Sequence, residues 1–145
     1  MKKFTLLTAL ALIVSAFSYA QTARVQVIHN SADAAADSVD VYLNNALLLD
    51  NFAFRNATSF IDAPAGSPIS IDIAPKTSSS ASESIYNLTA TLTEGETYVL
   101  VASGIVSGTG YSPATAFGID VFAMGREAAT MGTNTDLLVY HGSTD

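Results

Sequence analysis

The sequence predicts an all-β domain, an immunoglobulin-like or transthyretin-like antiparallel β-sandwich of about seven to nine strands. Apolar and polar residues alternate in short runs, and the clearest of these runs contains Ile69, Ile71 and Ile73. Turn-forming residues separate the runs, as at Asn44-Asn45 and Pro64-Ala65-Gly66. The apolar residues show no convincing helical period, which favours strands throughout.

The first predicted strand, Ala23 to His29, opens the domain. Val25, Val27 and His29 share one of its faces, which we expect to point into the core. The later predicted strands cover residues 38–43, 46–50, 58–63, 69–74, 86–92, 97–103 and 117–123. The alanine-rich loop after the first strand and the stretch 126–131 are each expected to form one helical turn at most.

The second predicted strand, Ser38 to Leu43, also alternates. Val39, Val41 and Leu43 are expected to face the core, and Asp40 and Tyr42 to face solvent. This pattern is typical of a half-buried antiparallel strand.

The first twenty residues have the features of a secretory signal peptide. Two basic residues, Lys2 and Lys3, precede an apolar stretch from Phe4 to Phe17, and Ser18-Tyr19-Ala20 places small residues at a cleavage site. The mature chain is therefore predicted to begin near Gln21 and to be secreted or held at the cell surface. Because the chain contains no cysteine, a lipid-modified signal and disulfide bonds are both excluded.

The opening strand and the loop after it return at the end of the chain. Residues 25–33 align with residues 137–145 at a constant offset of 112, and four identities recur: Val27, His29, Ser31 and Asp33 correspond to Val139, His141, Ser143 and Asp145. We therefore predict a sandwich domain at 22–124, a linker at 125–135 and the start of a second copy at 136–145. Residues 136–140 should be that copy's first strand, disordered or added to an open sheet edge. The following copy is a predicted partner.

The charge balance disfavours two classes of partner. The chain has a net charge of −7, and without Lys2 and Lys3 four basic residues face thirteen acidic ones, a net charge of −9. Such a surface repels the phosphates of nucleic acids and of anionic membranes. We therefore expect no nucleic-acid partner and no membrane insertion after signal cleavage.

The repeated His29, Ser31 and Asp33 are the residues that invite a catalytic interpretation. At a spacing of two along an extended chain, consecutive side chains lie about 6–7 Å apart, whereas a triad must converge within hydrogen-bond distance. A Gly-x-Ser-x-Gly elbow is also missing from the sequence. We therefore predict no enzyme activity and a hydrogen bond from His29 to the loop 30–37, with a secreted hydrolase as the alternative. His29, Ser31, Asp33 and Asp37 are retained as candidate binding residues.

Oxygen donors cluster near the same loop. Asp33, Asp37 and Asp40, together with Asn30, would suit calcium, but the spacing of a calcium loop is missing. One histidine per domain and no cysteine also disfavour zinc. The sequence therefore predicts no metal site and no cofactor, with calcium as the open alternative.

The opening residues carry a resemblance to a known family. Ala23 to Asp33, followed by Val39 to Asn44, resembles the start of the domain-of-unknown-function family 4397; the Pro64-Ala65-Gly66 turn and Leu92 to Tyr98 extend the similarity. Ala32 stands where that family usually has proline, and the loop that follows is longer. The resemblance implies an exported bacterial protein, often with tandem copies, and it implies no activity.

Together, the sequence predicts a non-catalytic extracellular β-sandwich module of a tandem-repeat secreted or cell-surface protein. Its expected role is adhesion, glycan binding or spacing. An extracellular glycan or protein is the expected ligand.

Overall fold

The computed structural model describes residues 21–142, in which two four-stranded sheets pack face to face and confirm the predicted all-β sandwich. The predicted signal peptide, and Ser143 and Asp145 of the repeated motif, lie outside these residues. The strands are β1 (Thr22–His29), β2 (Ser38–Leu43), β3 (Ala46–Ala53), β4 (Ile61–Pro64), β5 (Pro68–Pro75), β6 (Tyr86–Thr91), β7 (Thr97–Ser103) and β8 (Gly118–Phe122).

The strand order differs from that of the immunoglobulin fold. One sheet, here the β1 sheet, has the order β4-β1-β7-β8, and the other, the β2 sheet, has the order β3-β2-β5-β6. In the immunoglobulin fold the first two strands share a sheet, whereas β1 and β2 lie in opposite sheets here. All strand pairs are antiparallel except β1 and β7, which run parallel.

The core lies between the two sheets and follows the alternation of the sequence. In β1, the predicted inward residues Val25, Val27 and His29 are buried. Across the core, Ile69, Ile71 and Ile73 of β5 are buried as well. This face-to-face packing of alternating apolar residues is the main stabilising contact of the sandwich.

The prediction that Asp40 and Tyr42 face solvent is wrong. Both are buried, because residues 76–84 fold back over the outer face of the β2 sheet and carry a short 3₁₀ helix, Ala81–Glu83. Ser78 Oγ donates to Asp40 Oδ2 at 2.6 Å and lies 2.9 Å from the Tyr42 hydroxyl. A loop distant in sequence therefore converts a half-buried strand into one that is covered on both faces.

Two local predictions are confirmed, and a third, of at most one helical turn in residues 126–131, is not contradicted. Asn44 and Asn45 both adopt positive φ (50° and 67°) in the tight turn between β2 and β3. The alanine-rich loop forms one 3₁₀ turn, Ala34–Ala36. Residues 126–131 form no helical turn. Across the described range 21–142, we find no helix that is long and apolar enough to cross a membrane.

The segment 134–142 has no regular secondary structure, so the strand predicted at 136–140 is not formed in this chain. It does not pair with a sheet edge either, and its contact with the β1 sheet is made on the outer face, chiefly by Tyr140.

Candidate functional site

The end of β1 and the loop after it place the three repeated polar residues at one end of the sandwich. His29, Ser31 and Asp33 expose 0%, 0% and 1% of their surface. Buried polar groups are costly unless they are hydrogen-bonded, and within residues 21–142 every buried side-chain nitrogen and oxygen has a partner. The partners of these three residues therefore show what the motif does in this structure.

His29 fastens the 3₁₀ turn to the end of β1. Its Nε2–H donates to the carbonyl oxygen of Ala36 at 2.8 Å, and its Nδ1 accepts from the backbone N–H of Ser31 at 3.3 Å. The ring also packs near the rings of Phe52 and Phe54. The predicted hydrogen bond from His29 to the loop 30–37 is confirmed.

This environment keeps the His29 imidazole neutral. Burial lowers the pKa of His29, and the hydrogen bond to Ala36 and the charge of Asp37 oppose that effect only in part. A neutral ring can donate from one nitrogen and accept at the other. The two hydrogen bonds of His29 require this arrangement.

Ser31 fastens the end of β7. Its hydroxyl donates to the carbonyl oxygen of Gly104 at 2.7 Å, across 73 residues of sequence. Gly104 has a φ of +87°, and a Cβ at this position would collide with the backbone of Ala116. The glycine thus allows a close backbone approach beside the carbonyl that Ser31 holds.

Asp33 fastens two loops at once. Its Oδ1 accepts from the backbone N–H of Ala35 (2.9 Å) and from Ser107 Oγ (2.7 Å), and its Oδ2 accepts from the backbone N–H groups of Val106 (2.8 Å) and Ser107 (2.6 Å). Burial works against ionisation, but these bonds outweigh it, the Ser107 hydroxyl most of all, and lower the pKa of Asp33 to about 2. The carboxylate is therefore charged and fully engaged at neutral pH.

The three side chains do not form the hydrogen bonds of a catalytic triad. The Ser31 hydroxyl is directed to Gly104 and the Asp33 carboxylate to residues 106 and 107, so neither bonds the His29 ring. A triad needs the base to bond the nucleophile and the acid to bond the base. The arrangement can brace loops, and it has no activated nucleophile in this structure.

Asp37 lies apart from the other three candidate binding residues. Its carboxylate is exposed and contacts Lys76 Nζ at 3.1 Å. Asp37 follows the 3₁₀ turn Ala34–Ala36, and Asp33 caps the start of that turn. The binding role of the four residues stays a prediction.

The acidic residues that suggested calcium are dispersed. Asp33 bonds residues 35, 106 and 107, Asp37 pairs with Lys76, and Asp40 accepts from Asn51 N–H and Ser78 Oγ. In the part of the chain that the structure describes, histidine and acidic side chains nowhere form a group of three or more that could hold a metal ion.

A groove on the outer face of the β1 sheet was not predicted. It has a volume of about 420 Å³ and lies between the sheet and the segment 124–140. The sheet contributes Gln26, Ile28, Phe60, Val99, Val101 and Phe122. The sequence did contain an indication of this groove, because β7 is apolar on both faces. In a strand that has one face in solvent, apolar and polar residues usually alternate.

Tyr140 closes one end of this groove. Its hydroxyl lies 2.6 Å from Asp120 Oδ2, to which it donates, and 2.8 Å from Ser103 Oγ. Its ring packs edge-on against Phe122, with the centroids 5.9 Å apart. Burial and the bond to Asp120 raise the pKa of Tyr140.

Two ion pairs secure the chain leading to Tyr140. Arg126 Nε lies 2.8 Å from Asp136 Oδ2 within the segment, and Arg24 Nε of β1 lies 2.6 Å from Glu127 Oε1. These pairs are exposed, so each adds little stability, but together they limit the paths the segment can take.

A family model described as "Domain of unknown function (DUF4397)" matches residues 23–145. No curated protein matches the chain.

Proposed function

Because the chain belongs to the domain-of-unknown-function family DUF4397 over residues 23–145, we propose for it a role that needs no catalytic machinery. We infer that it is a non-catalytic extracellular β-sandwich module, used in tandem for adhesion, glycan binding or spacing. The observation that carries this proposal is the bracing role of the repeated His29, Ser31 and Asp33. Three side chains that hold loops together explain why a chain would repeat them with each copy of a domain.

The braces also support a recognition role. Asp33 holds the turn 34–36 against residues 106–107, and the Tyr111 hydroxyl lies within 3.3 Å of the Ala34 nitrogen. Two loops that start from different strands are thus fixed side by side at one end of the sandwich. Loops positioned by a rigid scaffold are common binding surfaces.

The excess of acidic residues limits the chemical classes of ligand that we expect. With thirteen acidic and four basic residues after Gln21, the mature protein favours an uncharged glycan or a basic protein surface. Asp37 is exposed at the end of the sandwich where these loops are held, and it would take part in such a contact. The proposed location of the protein is extracellular or at the cell surface.

The test pairs two matched variants. The mature protein is screened on glycan and extracellular-protein arrays, and any ligand is measured again with Asp37→Ala and with Asp62→Ala. Both carboxylates are exposed and both form a surface ion pair, but Asp62 lies beside Arg24 at the opposite end of β1. We expect Asp37→Ala alone to weaken binding.

The hydrolase alternative is tested with the same protein. Esterase, peptidase and glycosidase substrates are assayed with the wild type and with Ser31→Ala. Turnover that Ser31→Ala abolishes, in a protein that remains folded, would contradict the proposal. An absence of both turnover and ligands would leave spacing as the role.

A further inference from the structure

The segment 137–141 presents two different faces. Leu137 and Val139 are 83% and 87% exposed, and His141 is exposed as well. Tyr140 is partly buried and lines the groove on the outer face of the β1 sheet, where Leu137 and the 54% exposed Leu138 also contribute to the lining. Val139 and Tyr140 therefore face opposite sides, although no strand is formed.

The repeat at an offset of 112 residues shows which residues of β1 correspond to each of these two faces. Leu137, Val139 and His141 correspond to Val25, Val27 and His29, which are buried in the core of the described domain. The exposed face of the segment is thus the face that β1 turns inward. Its apolar residues are left free for a core of their own.

The residues on the other face of the segment differ in type from the residues of β1, and of the loop after it, to which they correspond. Leu138, Tyr140 and Gly142 correspond to Gln26, Ile28 and Asn30. Tyr140 supplies the hydroxyl that reaches Asp120, which isoleucine could not supply.

Gly142 adds a second departure of the same kind. A Cβ at this position would collide with the Tyr140 ring and would lie 2.7 Å from the side-chain nitrogen of Asn30. The two stretches therefore agree at core positions and differ at docking positions.

We propose that the outer face of the β1 sheet is the seat of the following copy of the domain, whose first strand is anchored there by Tyr140. Consecutive copies are then held in one fixed orientation instead of hanging from a flexible linker. The inference rests on the tandem use given as the proposed function, and it adds the partner surface and the geometry of the joint.

The contacts of Tyr140 explain why it can act as an anchor. An aromatic ring packed edge-on against Phe122, with its hydroxyl bonded to Asp120 and Ser103, combines apolar burial with directional bonds. An anchor of this type is typical of the residues that dominate protein interfaces. The Arg126–Asp136 pair shortens the free length of the linker before the anchor.

The first test uses the mature chain. Backbone ¹⁵N relaxation should show residues 136–141 as rigid as β7, and Tyr140→Ser should release them. Proteolytic cleavage within this segment should then become about tenfold faster, since the loss of one anchor lowers the free energy of local opening. Val139→Ser is the matched control, because this side chain is exposed, and it should leave rigidity and cleavage unchanged.

Three results would overturn the proposal. A segment that is mobile in the wild type would mean that no seat exists. Equal effects of Tyr140→Ser and Val139→Ser would mean that Tyr140 is not the anchor. A dimer with a rigid segment would mean that the groove takes the segment of another molecule.

A second test addresses the orientation of the copies. Residues 34–124 are joined after Asp145, which completes a second copy because Asp145 corresponds to Asp33. Small-angle X-ray scattering and residual dipolar couplings should report one fixed arrangement, and Tyr140→Ser should broaden it. Two folded copies that tumble independently, or a second copy that fails to fold because its first strand stays bound to the first domain, would refute the seat. A flexible joint alone would leave the proposed non-catalytic role intact, since only the turnover assays address that role.

Discussion

Replacing Asp33 by asparagine should destabilise the domain strongly, although the two side chains have nearly the same shape. The carboxylate accepts four short bonds, from the backbone N–H groups of Ala35, Val106 and Ser107 and from the Ser107 hydroxyl, and a longer one of 3.5 Å from the Tyr111 hydroxyl. An asparagine amide keeps one acceptor oxygen and turns an NH₂ group towards donors. At least one buried N–H group would then lose its acceptor.

The size of the expected stability loss follows from the pKa of Asp33. The carboxyl ionises at an ordinary value of 3.8 in the unfolded chain and at about 2 in the folded protein. This difference corresponds to about 2.5 kcal/mol of stability at neutral pH. The bonds that lower the pKa are the same bonds that an asparagine side chain cannot all accept, so Asp33→Asn should cost about 2–4 kcal/mol.

The pH dependence provides a second, independent readout. Because folding lowers the pKa of Asp33, its stabilisation is present above about pH 4 and disappears as the pH falls towards 2. The wild type should therefore lose this contribution on acidification. The asparagine side chain of the variant does not titrate, so the difference between the two proteins should shrink over the same range.

Urea unfolding of the mature chain, followed by the fluorescence of its five tyrosines in the absence of tryptophan, measures both effects. Asp37→Asn is the matched control, because Asp37 is in the same loop but exposed, and it should cost less than about 1 kcal/mol. The reasoning is refuted if both variants lose the same stability, or if the Asp33→Asn deficit stays constant from pH 7 to pH 2.

Three further changes test the other braces. His29→Ala should cost about 2–4 kcal/mol and lower the melting temperature by several degrees in calorimetry, since it removes a buried ring and two hydrogen bonds. Burial lowers the pKa of His29, so the wild type should lose stability as the pH falls below about 6.5, and His29→Ala should lose less over that range. Ser31→Ala should cost about 1–3 kcal/mol in urea unfolding, because the buried Gly104 carbonyl loses its donor; a neutral result would contradict its bracing role. Gly104→Ala should reduce the yield of folded protein in circular dichroism spectra, because its Cβ would meet the Ala116 carbonyl at a positive φ; normal folding and stability would contradict the close approach.

The strands were predictable because their signal is local. Ile69, Ile71 and Ile73 alternate with small or polar residues, and they form the inner face of β5 as expected. The burial of Asp40 and Tyr42 was not predictable in this way, since it depends on residues 76–84 folding back over β2. A period-two pattern reports the face that meets the core and carries no information about a loop that covers the other face.

The candidate site was predictable in part for the same reason. The bond from His29 to the loop 30–37 links neighbours in sequence and was expected. Apart from the Ala35 N–H group, the partners described for Ser31 and Asp33 lie 73 or 74 residues away, at the end of β7 and in the loop after it. Only the strand pairing brings these segments together, and no local pattern encodes the parallel pairing of β1 with β7.

That parallel pair has a consequence for how the domain is made. The β2 sheet is built from residues 38–91, and its strands are joined in antiparallel pairs, so it can assemble while the chain is still being synthesised. β1 must wait, because its register with β7 pairs Arg24 with Thr97. Closing such a long loop into a parallel pair is slow.

A nascent chain that ends before β7 would therefore hold half a sandwich, with Ile69, Ile71 and Ile73 uncovered and β1 without its parallel partner. Intermediates with exposed apolar surface and unpaired strands aggregate readily. β1, the first strand to be synthesised, is thus among the last to be paired, and the interval between the synthesis of β1 and that of β7 is the period in which aggregation is most favoured.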